Sequence, residues 1–296
     1  MKRLPAIIII IIATALTLLF ISSWTLHRGT YKEHFHKGRI PSFVNVSIGY
    51  VKNLELIVLV DNYPNPSFPS LKTVWGISIY IRTDNVSILF DAGPDPIILR
   101  DNARCLGLNL SEIDYVVVSH EHGDHIGGLM YLAKINPDLT VYVPKHMSNS
   151  AKKWIKGLGF KVVEIERTSV ISKGVAIIGE LRGPPYEQAL AINVKGLGLI
   201  VIVGCSHPGV DNIVSKAVKD LKVNPYAVIG GFHLSGVSFQ KIKTIADNLA
   251  NMGLKKIYPI HCSGDGIREY LSRTYPEIYG DGCIGLKLIF KGENKC

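Results

Sequence analysis

Six consecutive residues, His120-Glu121-His122-Gly123-Asp124-His125, place three imidazoles and a carboxylate within a single turn of chain. Imidazole nitrogen and carboxylate oxygen in this mixture suit zinc or a related transition metal. The turn is too tight for all four groups to face one point. His120 and His122 can converge on one cation, while Asp124 and His125 can aim at a second. An isolated histidine is ordinarily solvated or packed in a core. Four ligand-type residues in six positions mark a metal site.

Further donors fall where apolar runs end. Residues 199–203 lead into Gly204-Cys205-Ser206-His207-Pro208-Gly209, and residues 256–260 lead into His261-Cys262-Ser263-Gly264. Loops gathered at one edge of a sheet hold such groups near one another on rigid supports. His207 and His261 are therefore read as ligands, with packing or a supporting role as the alternative. His233, in Gly230-Gly231-Phe232-His233, is read either as a ligand or as a substrate and proton-transfer residue. Asp91 closes another apolar run and is expected to orient a ligand histidine, the alternative being a plain turn residue before Gly93. Cys205 and Cys262 lie within two residues of candidate ligands, as supporting thiols or as a mutual disulfide. Asp124 could both hold a metal and orient a bound water. A pair of such ions can generate hydroxide, polarise a carbonyl or phosphoryl oxygen, or bind a departing phosphate.

The elements that must position these groups alternate along the chain. Strand-like runs of β-branched residues are expected at 54–60, 77–81, 86–90, 113–119, 140–144, 161–165, 188–194, 199–203, 227–229, 256–260 and 286–290. Lys195-Gly196-Leu197-Gly198 reads as a hairpin turn between two of them. Helices are expected at 95–106, 127–135, 149–158, 212–221, 239–252 and 267–273. Mixed strands in two groups with helices outside indicate two stacked sheets in an α/β sandwich.

The chain has 296 residues, 47% hydrophobic and 19% charged, which allows one large globular domain. Residues 4–26 carry no charge and include six successive isoleucines, Ile7 to Ile12. About 20 apolar residues span a bilayer, so a transmembrane anchor is expected over residues 1–26, with a cleaved signal peptide as the rival. Residues 27–48 read as a linker and residues 49–296 as the catalytic domain. Lys2 and Arg3 on one flank, against Arg28, Lys32, Lys37 and Arg39 on the other, place that domain on the cytoplasmic side of a single-pass membrane protein. Five cysteines are too few and too scattered for a disulfide scaffold. The formal charge of +9 suits a small anionic substrate or a membrane surface. No basic block with interleaved aromatics supports nucleic-acid binding.

Asp91-Ala92-Gly93, the run from Ser119 through His125 to Gly127-Gly128-Leu129, and the placement of His261 resemble the metallo-β-lactamase superfamily over roughly residues 50–290. That resemblance implies a four-layer αββα sandwich with two divalent metal ions, usually zinc, at one edge; magnesium, manganese and iron are the alternatives. Leu59-Val60-Asp61-Asn62, Gly76-Ile77-Ser78, Glu187-Gln188, the segments around His207 and His233, and His261-Cys262 are similar to one subgroup, the dihydropterin-ribofuranosylaminobenzene phosphate synthases and their relatives. The subgroup reaction joins an arylamine to a pterin-methyl diphosphate and releases pyrophosphate. Carried over position by position, His120, His122, Asp124, His125, His207 and His261 would be ligands. Asn62, Glu187 and His233 would lie near a phosphorylated substrate. Cys205 and His207 occupy the strand end where an aspartate usually bridges the ions. A membrane-anchored hydrolase of phosphoesters, lactones or amides is the second expectation, and a non-catalytic metal or ligand sensor the third.

Overall fold

A computed structural model describes residues 47–292, all within the unit Asn45–Cys296. Seven strands form the first sheet: β1 (Asn53–Val60), β2 (Ser78–Thr83), β3 (Ser87–Phe90), β4 (Tyr115–Val117), β5 (Thr140–Pro144), β6 (Lys161–Ile165) and β13 (Lys287–Lys291), in the order β13-β1-β2-β3-β4-β5-β6. The second sheet has the order β12-β11-β10-β9-β8-β7. It comprises β7 (Ser169–Ser172), β8 (Val175–Arg182), β9 (Tyr186–Val194), β10 (Gly198–Val203), β11 (Pro225–Gly231) and β12 (Lys256–Ile260).

Period-2 alternation builds three apolar layers from these strands. On β10, Ile200 and Ile202 face the first sheet, where they join Leu54, Leu56, Val58, Ile79 and Ile81. Leu199, Val201 and Val203 point the other way, onto the helices Val210–Leu221 and Phe239–Asn251. On β1, Ile57 and Leu59 likewise turn outward to the layer that includes Leu99 of the helix Pro96–Cys105 and Leu132 of the helix Leu129–Ile135. Strands apolar on both faces can be satisfied only by a partner sheet on one side and helices on the other. The result is the αββα sandwich.

Chain direction decides where the chemistry collects. Strands β3 and β4 are parallel, with Phe90 opposite Val117, so Asp91 and the histidine turn leave the sheet at the same edge. Strands β10, β11 and β12 are also parallel, with Val203 opposite Gly230 and Gly231 opposite Ile260. Cys205, His207, His233 and His261 therefore emerge together from the carboxyl ends of their strands, where open α/β sheets hold their ligands.

Two strands escaped the sequence reading. β7 is a four-residue edge strand, and Gly179 with a shifted register between Ile178 and Leu181 interrupts β8. The expected strand 113–119 is shorter, Tyr115–Val117, because its last residues already belong to the site loop. The helix expected at 127–135 runs Leu129–Ile135, and an unexpected four-residue helix, Gly123–Ile126, precedes it within the histidine turn.

The expectation of a single-pass membrane protein is corrected. Among the described residues no helix is long and apolar enough to cross a membrane. The longest of them, Phe239–Asn251, has 13 residues, against about 20 required for a bilayer core. Residues 4–26, on which that expectation rested, lie outside the described residues. His34 and His36 of the expected linker lie outside them as well.

Gly128 lets the helix after the histidine turn press against the loop after β3. A Cβ there would lie 2.0 Å from the Ala92 carbonyl oxygen, a backbone atom that cannot swing aside. Gly128→Ala is expected to destabilise the fold by about 2–3 kcal/mol, read as a lower urea midpoint at unchanged slope. A midpoint equal to that of the parent protein would show that this approach does not constrain the loop.

Candidate metal centre

The Asp91 carboxylate anchors the site from below. It is fully buried, and Oδ1 accepts the Ser119 amide at 2.7 Å. Oδ2 accepts both the Ser119 hydroxyl and Nδ1–H of His125, each at 2.7 Å. Because the Ser119 hydroxyl is spent on Asp91, its oxygen is left to accept Nδ1–H of His120 at 2.9 Å. His261 directs its Nδ1 toward Asn62 Oδ1 at 3.3 Å, and its amide donates to Asp61 Oδ1 at 2.8 Å. In all three imidazoles the δ nitrogen is held as the donor, so the ε nitrogen presents a lone pair to the cleft. That is the tautomer a metal requires.

The free lone pairs converge in two clusters. His120 Nε2 lies 3.0 Å from His122 Nδ1, and His207 joins them within a common reach of 4.8 Å. Asp124 Oδ2 lies 3.6 Å from His125 Nε2 and 3.3 Å from His261 Nε2. Cys205 Sγ lies 3.2 Å from His125 Nε2 and 3.5 Å from His261 Nε2. His207 Nε2 is buried with no hydrogen-bond partner. A buried nitrogen left unpartnered among other nitrogen lone pairs costs free energy unless a cation fills the gap. The donor set fits divalent metal ions.

Electrostatics keep these donors in their binding forms. Burial, reinforced by the surrounding imidazoles, holds His120 well below the ordinary histidine range. Burial, with His233 and His122 adding to it, lowers His207 to about 4. Burial would raise Asp124, but its close contact with His261 and the nearby His125 outweigh it and bring the carboxylate to about 2. Burial also opposes protonation of His125, yet the Asp91 carboxylate prevails and raises it. Two neutral imidazoles and an ionised aspartate are thus ready for a cation.

The other expected residues take distinct places. His233 is exposed, sits against His207 with ring centroids 4.4 Å apart and planes tilted by 47°, and is raised by its contact with Cys262. A cavity of about 230 Å³ opens beside it, with His207, Asn212 and Lys241 on its wall. Glu187, expected near substrate, is fully buried instead. Its oxygens accept the amides of Cys205, Ser206 and His207 at 2.8–2.9 Å, so it shapes the ligand loop from beneath rather than facing the cleft. Burial raises Glu187 to about 7. Cys205 and Cys262 are both free thiols, and Cys262 Sγ donates to the Cys205 carbonyl at 3.7 Å.

Sequence reasoning missed Ser119, Asp61 and Trp75. Ser119 offered no signal beyond its place before His120. Asp61 was signalled by a carboxylate closing an apolar strand, as Asp91 was. Trp75 is half exposed and stands against His261 with ring centroids 5.0 Å apart. Backbone strain marks the same places: of five non-glycine residues with positive φ among the described residues, Asp91, Ser206, His233 and His261 all belong to the site.

Residues 76–215 match the family model of the metallo-beta-lactamase superfamily. Residues 76–215 thus form a metallo-beta-lactamase domain, and the chain is a metal-dependent enzyme. Members of the superfamily bind divalent metals, and the donor clusters here are of that kind. The chain is 28% identical over 269 residues to the 7,8-dihydropterin-6-methyl-4-(beta-D-ribofuranosyl)-aminobenzene-5'-phosphate synthase of Methanocaldococcus jannaschii, covering 74% of this chain and 90% of the relative. It superposes with a TM-score of 0.68 at 26% identity on the crystal structure of a metal-dependent hydrolase of the beta-lactamase superfamily, covering 80% of this chain and 99% of that one. A diphosphatase of the PhnP family shares the fold alone, at a TM-score of 0.57 and 16% identity over 81% of this chain and 98% of that one.

Asp61 yields a pH signature of this metallo-beta-lactamase domain. Burial raises its carboxyl from 3.8 to about 7 against the amide hydrogen bonds it accepts. The folded state therefore holds a proton that the unfolded chain releases. The resulting stability is complete below pH 3.8 and is lost as pH rises through about 7. Asp61→Asn keeps an acceptor for the His261 amide and cannot ionise. In chelator-treated protein the stability difference between variant and parent is expected to shift in favour of the variant across that window, read from urea midpoints. A difference independent of pH would contradict it.

Proposed function

We propose that this metallo-beta-lactamase domain is a transferase that joins an arylamine to a pterin-methyl diphosphate and releases pyrophosphate. The observation that carries the reading is the likeness to the Methanocaldococcus jannaschii synthase, which runs through 90% of that relative. The site chemistry supports it. His120, His122 and His207 would hold one ion and Asp124, His125 and His261 the other, zinc suiting this nitrogen-rich set best. Ions bound there would supply positive charge for the departing pyrophosphate.

The chain's own residues supply positioning and proton transfer. The amine nitrogen bonds to the methyl carbon as the carbon–oxygen bond to the diphosphate breaks, and the nitrogen loses a proton. His233, exposed and made more basic by its contact with Cys262, would accept it. Lys241, on the wall of the adjoining cavity, offers a cation to a phosphate group of the substrate. Asn62 holds His261 through both of its side-chain atoms, and a substrate bound at that side would meet it next.

The alternative is hydrolysis of a phosphoester, lactone or amide, with water replacing the amine and Asp124 orienting it. The likeness to a metal-dependent hydrolase supports this second reading. Pyrophosphate release with paired pterin diphosphate and arylamine separates the two. Turnover of a single substrate with water alone would sink the transferase. His122→Ala is expected to lower turnover by at least about 100-fold, since loss of a mere supporting partner of a metal ligand costs 10–100-fold. The far-ultraviolet circular dichroism of that variant should match the parent.

A further inference from the structure

We infer that the groove between the end of β8 and the helix Val210–Leu221 is a second anion-binding site. It holds a phosphate monoester carried by the amine substrate at the end remote from the reacting nitrogen. The assignment of that phosphate to the amine rests on the transferase reading, whereas the groove itself does not. Asn212, Ser215, Lys216 and Lys219 recur at helical spacing and form one polar stripe along the helix. Val210, Ile213, Val214, Ala217 and Leu221 take the remaining positions and are buried in the core. Leu181 and Arg182, at the end of β8, join the stripe in walling a cavity of about 500 Å³.

The protein does not balance the charge in this groove. Lys216 is engaged by Asp220, one turn along the helix, at 2.7 Å, and Asp220 also accepts the Thr168 hydroxyl. The side chains of Arg182 and Lys219 have no ion-pair or hydrogen-bond partner among the described residues. A guanidinium fork matches two oxygens of a phosphate, and an ammonium adds a point charge. Together they suit a phosphate monoester dianion better than a single carboxylate.

The groove adjoins the metal centre. It shares Pro208 and Asn212 with the cavity of about 230 Å³ beside His207 and His233. Gly183, the residue after Arg182, packs on His207, since a Cβ there would lie 2.7 Å from the Cβ of that histidine. One molecule can therefore extend from the cleft into the groove, with Leu181 and Pro208 offering an apolar surface between its polar ends. Lys241 belongs to the inner cavity, and Arg182 and Lys219 to the outer one. The departing diphosphate and the remote phosphate would thus meet separate cations.

Arg182 and Lys219 are both exposed, so Arg182→Gln combined with Lys219→Gln should fold like the parent. In the full chain with its ions in place, the preference of this variant for aminophenethyl phosphate over aminophenethyl alcohol is measured as a ratio of kcat/KM values. That ratio is expected to fall about tenfold relative to the parent. Phenyl phosphate, which has no amine to react, should bind the variant about tenfold more weakly in calorimetric titration. Lys134→Gln with Lys153→Gln removes the same charge from the other helical layer and should leave both readouts at parent values. Unchanged phenyl phosphate binding in the groove variant, or an equal loss in the control, would overturn the site. Weaker binding with an unchanged substrate preference would overturn the assignment to the amine. Weaker binding without pyrophosphate release from any paired pterin diphosphate and amine would instead sink the transferase reading and leave the groove standing as an anion site.

Discussion

The Asp91 carboxylate governs this cleft. One buried side chain takes three hydrogen bonds, from the Ser119 amide, the Ser119 hydroxyl and His125. Through Ser119 it also fixes His120, which it does not touch. A histidine free to choose its tautomer could present a proton rather than a lone pair to a cation, and the two forms differ little in energy in water. Here the choice is made by a carboxylate with no exposed surface. The same group raises the proton affinity of His125, the one imidazole it holds directly. The orientation of His120 and His125, and the basicity of His125, therefore descend from one residue at the end of β3.

The sandwich makes such a residue affordable. Its apolar strands leave no freedom in register, because a slip of one residue would exchange the inter-sheet face with the helix face along the whole strand. Ile200 and Ile202 cannot trade places with Leu199 and Val201 without inverting the burial of all four. The strand ends are in turn fixed, and the left-handed backbone at Asp91, Ser206, His233 and His261 is held by what precedes it. Conformations of that kind cost about 1–3 kcal/mol each and persist only when their surroundings over-determine them.

The histidine turn, the strand-end histidines and the alternation of elements were legible in the sequence because each leaves a local mark. His120 to His125 is a dense motif, and β-branched runs announce buried strands. Roles that depend on contacts distant in sequence were not legible. Glu187 looks like a polar residue available to substrate, yet hydrogen bonds from Cys205, Ser206 and His207 place it beneath the loop. The closeness of Cys205 to His125 and His261, 80 and 56 residues away, likewise exists only once both sheets have formed. β7 and β8 were missed because a short edge strand and a strand broken by a shifted register lack the periodicity that identifies the others.

The cleft is also where the chain conflicts with itself. His120 Nε2, held neutral with its lone pair facing the cleft, approaches His122 Nδ1 to 3.0 Å, and a cation bound between them would compete for both nitrogens. His207 adds a buried nitrogen without a partner. Bringing such groups together opposes folding, and a chain selected for stability alone would replace them with apolar side chains. A cation bound there would turn these converging lone pairs into shared bonds. Ions bound there would couple metal binding to folding, stabilising the polar edge while leaving the three apolar layers untouched.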